Sequence, residues 1–523
     1  MASDSLDVCL DIFGQHPRHS QIYTPVCFGF PCDEQHISEK SVLAHFQAGL
    51  ERLTRGFPWI TGQVVRGDDG IFRIRPYREA PSITVKDLRR EFPPIIADLL
   101  KPGGGGGIPA SLLDESTLAP CGTFRQPTGR GTTGPATPVF LLQANIVPGG
   151  LLLVVNGLHS CMDMAGQAQM IRLLAKACRG EPFTTEELST GNMPRSDILL
   201  PLLDIFDEEI LKGSKEPIAS LAEDKDDQAN SPAAAAAAAD RPGEQRRPPQ
   251  TPICWSTFIF SRPALQALKT AASATMPSAQ EEEGEHIPFI STDDALSALL
   301  WQSITRSRLP RLSPPSPPPS PAEPTTTTTT TTLTRTVDAR KYVPGLSPAY
   351  PGDAACKVSS TFDAASLANK PLGAIAAALR ARLRPDEVCD GIRAHATKLA
   401  RARDGARVRV NGDNSSSGSN SLDPSTGVNL SSWAKESCYD FDFGEITVDS
   451  GDGGGSSKRL GMVLGRPAVV QRPVFIDDAW EGLVYLMPKR LDGGIAALAY
   501  LRQEDMERMR EDGELARYGR YVG

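Results

Sequence analysis

LLLVVNGLHSCMDMAG, from Leu151 to Gly166, runs an apolar segment straight into His159 and places Asp163 four residues later. Leu151 to Asn156 reads as a buried strand, and the Pro148-Gly149-Gly150 turn joins it to a second strand-like run, Val139 to Val147. A helix from about Ala165 to Cys178 should follow, with Ile171, Leu174 and Cys178 on one face and Gly180 as its stop. A buried strand that ends in a polar turn holds a side chain rigidly, so His159 is a candidate for chemistry. Of the seven histidines only His159 has an aspartate at this spacing, but acidic residues are common enough that the spacing alone carries little. The competing reading makes His159 a hydrogen-bonded strand-end residue and Asp163 a helix cap.

The surroundings predict an α/β protein with two sheets. Ser38 is placed to cap a helix bearing Val42, Leu43, Phe46, Leu50 and Leu53 and closing near Gly56. Downstream, Pro252 to Phe260 reads as a strand, and Ser291 with Asp294 starts a helix carrying Leu296, Leu299, Leu300 and Ile304. Leu483 to Met487 and Ile495 to Leu501 suggest a hairpin, followed by a charged helix around Glu504 to Glu514. At 523 residues the chain is too long for one ordinary core. The acidic, alanine-rich stretch 212–250 looks like a disordered crossover linker between an N-terminal domain, 1–211, and a C-terminal domain, 251–523. The Pro/Ser and threonine runs of 310–332 read as a disordered insertion; 103–107, 415–421 and 451–457 read as shorter flexible loops.

Net charge and cysteine usage narrow the partners. A formal charge of −8 argues against sequence-independent nucleic-acid binding, which needs concentrated Lys and Arg. No run approaches the roughly 18 apolar residues of a membrane span, and the first residues carry Asp4, Asp7 and Asp11 rather than a secretory pattern. Ten scattered cysteines without a C-x-x-C pair or metal-like cluster read as reduced thiols in a cytoplasmic protein without a metal site; a monomer is the separate expectation for its assembly. Cys161, beside His159, is expected to be a small half-buried filler rather than a nucleophile.

His159-Ser-Cys-Met-Asp163 after a strand, Ser431-Ser432-Trp433, and Asp442-Phe443-Gly444 together resemble the BAHD acyltransferases, which use coenzyme A thioesters. The stretch beginning HSCMDMAGQAQMIRLLAKACRGEPFT looks most like the fungal trichothecene 3-O-acetyltransferase-like branch, and Val337-Asp338-Ala339-Arg340 with Tyr350-Pro351-Gly352 extends the likeness. Three departures stand out. Met164 follows the motif aspartate where glycine is usual, Glu445-Ile446 follow Gly444, and the aromatic-Gly-Asn turn becomes Pro351-Gly352-Asp353. The resemblance implies two chloramphenicol-acetyltransferase-like domains, each a mixed sheet with flanking helices, and an active site at their interface. It implies acyl-coenzyme A, with acetyl-coenzyme A foremost, as co-substrate rather than permanent cofactor, and a small secondary metabolite with a hydroxyl or amine as acceptor.

In that reading His159 takes the acceptor's proton, and Ser431, two residues before Trp433, donates to the oxyanion. Asp163 supports His159 structurally by pairing with Arg340, while Asp442 and Gly444 shape the backbone. Ser291 and Thr292, at a helix start, are candidates for holding anionic coenzyme A, with simple capping as the competing reading. A carrier-dependent condensation enzyme usually has a second histidine where Leu158 stands here. A catalytically inactive binding homologue is the other alternative.

Overall fold

A computed structural model describes residues 6–32, 37–79, 81–101, 107–124, 136–196, 252–277, 287–312, 329–403, 423–449, 459–475 and 481–523. The crossover stretch 212–250 and the loops 415–421 and 451–457 lie outside these residues, as does 103–107 apart from Gly107.

Two large sheets organise the chain. The first has five strands in the order Val469–Gln471, Tyr23–Pro31, Gly150–Leu158, Phe140–Val147 and Ile83–Asp87. Its pairs are antiparallel except that Ile83–Asp87 runs parallel to Phe140–Val147. Gly150–Leu158 lies between two neighbours and is buried at every position, which explains its apolar run from Leu151 to Val155. The helices Glu39–Gly56 and Met164–Cys178 pack together over this sheet. Ser38 and Ser41 form the capping box that opens the first helix. Leu43 is the exception to the expected stripe: it sits on the flank of the Val42, Phe46, Leu50 and Leu53 face and is exposed.

The second sheet has seven strands, in the order Ala355–Asp363, Thr330–Asp338, Val428–Ser432, Leu483–Leu486, Ile495–Arg502, Ile253–Phe260 and Gly519–Tyr521. Val428–Ser432 is parallel to both neighbours and the remaining pairs are antiparallel. Phe258, Phe260, Leu430, Val484 and Leu486 share a core with the helices Arg262–Ser273, Thr292–Leu312 and Leu372–Ala381. Trp255, Leu498 and Tyr500 instead belong to the core beneath the first sheet, so apolar packing continues from one sheet to the other. This is an α/β architecture of two mixed sheets with flanking helices.

Several boundaries differ from expectation. Residues 310–332 are not all insertion: the helix continues through Pro310 to Leu312, and Thr330–Thr332 open the second strand of the seven-stranded sheet. Arg311 secures the helix end through Asp505 and Glu481, while β-branched Thr331 is buried and pairs with Phe362. The closing charged helix is two, Gln503–Arg510 and Gly513–Tyr518, because Asp512 caps a new start by accepting from Glu514 N and Leu515 N. The linear division at 251 is also crossed, since Val469–Gln471 adds an edge strand to the first sheet. No described helix is long and apolar enough to cross a membrane.

Trp301 illustrates how the second sheet is held. It is fully buried on the central helix, and its Nε1 donates to Thr331 Oγ1 at 3.0 Å, pinning the start of the strand Thr330–Asp338. Trp301→Ala should cost about 3–5 kcal/mol, read as a lower midpoint of urea unfolding.

Candidate active site

His159 leaves the buried strand on a clamped turn. Its N–H donates to Ile22 O at 2.8 Å and the Ser160 N–H donates to His19 O at 3.0 Å. Both anchors belong to one short segment, in which Pro17 starts a single-turn helix, Pro17–Gln21. The His159 side chain keeps 25% of its surface exposed although its Nδ1 is buried, so the accessible edge is the one that bears Nε2.

Asp163 does not face His159. Its Oδ1 caps the following helix at Gly166 N (2.8 Å), and its two oxygens accept from both Nη atoms of Arg340 at 2.8 Å. Ala354 N adds a fourth bond to Oδ2 at 2.9 Å. Arg340 is buried and also donates to Asp338 Oδ1, Tyr350 O and Gly352 O. One ion pair therefore ties the histidine turn to the Tyr350-Pro351-Gly352 turn on the second sheet. Burial works against the Arg340 cation, but Asp163 and Asp338 outweigh it and raise its pKa. Nearby Glu436 is pushed up to about 7 by burial, then by Asp163 and Asp338.

That second turn delivers Asp353, a residue that the motif reading noted only as a departure. Asp353 is fully buried, with Oδ2 2.8 Å from His19 Nδ1 and 3.4 Å from His159 Nδ1. The longer contact falls outside good hydrogen-bond geometry, and the carboxylate acts on His159 through this loose contact and through its charge. The His19 and His159 rings lie 4.2 Å apart between centroids, and His16 stacks behind His19 at 4.6 Å. Burial disfavours the His159 imidazolium, but Asp353 overrides it and the pKa is raised. His19 goes the other way, pushed down to about 4 by burial and then by His159. Asp353 itself is held well below the usual carboxylate range: burial opposes its charge and the two imidazoles overcome it. The three ligand atoms are spaced like a metal set, but the 2.8 Å His19 contact is that of a hydrogen bond. The signal that pointed to Asp353 was an acid where an amide was expected. His19, 334 positions away, gave none.

Ser431 and Trp433 come from the parallel strand of the second sheet. Trp433 Nε1 donates to Ser431 Oγ at 3.0 Å, which leaves the Ser431 hydroxyl proton free to point elsewhere. Beyond Trp433 the chain turns back, bringing Glu436 beside the Asp163, Asp338 and Arg340 group. Asp442 accepts from Gly444 N at 2.9 Å, and Gly444 has φ +77°, a conformation that favours glycine. Phe443 between them packs on Phe28 and Phe30 of the first sheet and on Phe46 of the helix Glu39–Gly56. Cys161 is fully buried and its thiol is pushed up to about 12, which makes it inert filler.

At Ser291 and Thr292 the structure shows the features of simple capping, the reading that competes with a coenzyme A site. Ser291 N and Oγ both bond to Asp294 Oδ2, so the cap is already made. The first turn also carries Asp293 and Asp294, whose charge opposes a phosphate there.

Two substitutions probe this arrangement. Asp163→Asn should destabilise the protein by about 3 kcal/mol or more and lower activity with it, because Arg340 loses its buried counter-ion. Reduced activity with an unchanged melting temperature would contradict the structural role. Gly166 approaches the second turn so closely that a Cβ would run into the Pro351 carbonyl oxygen. Gly166→Ala should therefore displace Asp353 and lower kcat by about tenfold or more, measured in steady state.

Residues 22–178 match the trichothecene 3-O-acetyltransferase-like N-terminal domain, and residues 127–447 match the Transferase family. The chain is 36% identical to trichothecene 3-O-acetyltransferase of Fusarium sporotrichioides, over 100% of this chain and 98% of that protein. It is 37% identical to an O-acetyltransferase of Cryptosporiopsis sp. (strain 8999), over 99% of this chain and 98% of the other. Among solved structures, F. graminearum TRI101 complexed with coenzyme A and deoxynivalenol superposes with a TM-score of 0.75, at 34% identity over 99% of this chain and 100% of that one. Vinorine synthase, at 13% identity over 97% of this chain and 92% of its own, shares the fold with a TM-score of 0.58.

Proposed function

The chain belongs to the Transferase family, on its trichothecene 3-O-acetyltransferase-like branch, and from that membership we propose that it acetylates a hydroxyl of a small secondary metabolite with His159 as general base. It is an acyl-coenzyme A-dependent acyltransferase, with the thioester as co-substrate. The observation that carries the assignment of His159 is its placement: a buried strand and two backbone bonds fix the ring, its Nδ1 edge faces Asp353, and its other edge is open.

The chemistry then needs little movement. His159 Nε2 accepts the acceptor's hydroxyl proton as that oxygen attacks the thioester carbonyl. The carbonyl oxygen becomes an oxyanion, for which the Ser431 hydroxyl, oriented by Trp433, is the proposed donor. Collapse breaks the C–S bond, and the imidazolium returns its proton to the departing coenzyme A thiolate. Asp163, Arg340, Asp442 and Gly444 hold the backbone that makes this possible.

The F. graminearum enzyme was solved with deoxynivalenol, so hydroxylated terpenoids of that kind head the acceptors to test. A cytoplasmic location is part of the proposal, supported by ten free cysteines and no described membrane-length helix.

The test is thiol release from acetyl-coenzyme A with deoxynivalenol and a panel of hydroxylated terpenoids, polyketides and amines. His159→Ala should lower kcat/KM by about a hundred- to ten-thousandfold. Ser431→Ala should lower kcat by about a hundredfold with KM little changed. Turnover that persists in the His159 variant would end the general-base assignment.

A further inference from the structure

We propose that Asp353, steadied by His19, is the positioning carboxylate that orients the His159 ring and stabilises its imidazolium as it takes the acceptor's proton. This rests on the reading of His159 as the base and adds a residue to it.

Among the described residues, Asp353 is the acid within ion-pair distance of His159, at 3.4 Å. Asp163, the aspartate of the motif, spends both oxygens on Arg340, Gly166 and Ala354. The Asp353 carboxylate is fixed at both ends: Oδ1 accepts from Ala355 N at 3.1 Å, and Oδ2 accepts from His19 Nδ1 at 2.8 Å. Two imidazoles thus converge on one oxygen, and both cannot carry charge there. His19 is the neutral partner: it is wedged between His16 and His159, donates its Nδ1 proton, and resists gaining a second. That leaves His159 as the ring whose protonation the carboxylate favours. A neutral His159 with Nδ1–H toward Asp353 presents an unprotonated Nε2 on the exposed edge, the tautomer a general base needs.

The charged and titratable neighbours are few. His159 faces Asp353, His19 and, at longer range, Asp163. Around Asp353 and His19 stand His16, Lys357, Asp11 and Cys161, with Arg195 and Tyr350 beside Asp11. Burial opposes charge on His159, whereas Asp353 and, more weakly, Asp163 favour it. Activity that requires neutral His159 rises with pH through its pKa. Deleting the Asp353 charge must move that rise to lower pH, because the force that raises the pKa is gone.

Asp353→Asn keeps the shape and the Ala355 bond while removing the charge. With acetyl-coenzyme A and deoxynivalenol, or the panel member turned over fastest, kcat should fall about tenfold or more, with KM for both substrates little changed. The ascending limb of kcat/KM against pH should move to the acid side. His19→Ala should move it the opposite way, since Oδ2 is then left to His159 alone, and His19→Asn, which restores a donor, should bring it back toward wild type. Opposed movements of the limb support the assignment. A loss of kcat with the limb unmoved in both Asp353→Asn and His19→Ala overturns it, as does full activity in Asp353→Asn. His159→Ala separates the two ideas: an inactive His159 variant beside an unmoved limb sinks only the role of Asp353, whereas an active one sinks the base itself.

Discussion

The buried pair between Asp163 and Arg340 is the constraint on which the site depends. Neither residue faces the acceptor, yet together they join two turns that arise from different sheets and would otherwise have no reason to meet. Arg340 spends its remaining donors on the carbonyls of Tyr350 and Gly352, so the backbone that carries Asp353 is fixed by the same guanidinium that fixes the His159 turn. Desolvating such a pair is costly, and its return in stability alone is small. Its value lies in geometry: a planar fork that accepts only one arrangement of both turns.

Around that joint the protein separates two electrostatic tasks. Asp163 is saturated with hydrogen bonds and serves the backbone. Asp353 keeps one oxygen for the imidazoles and serves the proton. A single carboxylate asked to do both would have its charge neutralised by the arginine and offer little to the histidine. Two aspartates on opposite sides of the turn avoid the conflict.

The parts legible in the sequence were those with a local cause. Leu151 to Asn156 reads as a strand because a strand covered on both faces carries an apolar run, and Ser38 and Ser291 announce their helices because capping is a matter of three or four residues. Asp163, Arg340, Ser431 and Trp433 entered through resemblance, which carries contacts that spacing does not. His19 lay beyond both: nothing within its own segment marks it, and its partner is supplied by chain folding back from the other sheet. The return of Val469–Gln471 to the first sheet escaped for the same reason, since edge pairing over such a separation leaves no periodic trace. Ser291 and Thr292 stayed open in the sequence because a helix start looks the same whether its amides await a phosphate or are met by their own capping box.

Ser431 and Ser432 are neighbours that point to opposite faces of one strand. Ser431 accepts a hydrogen bond from the Trp433 indole N–H, whereas Ser432 donates to Asp293 at 2.6 Å, at the head of the central helix. Of the two bonds, the one from Ser432 reaches another element and so works as a ruler: sliding the strand by one position would turn Ser432 to the opposite face and unmake its bond to Asp293. Lengthening or trimming the chain by one residue between Val428 and Trp433 should therefore be far less tolerable than almost any exchange of side chains there.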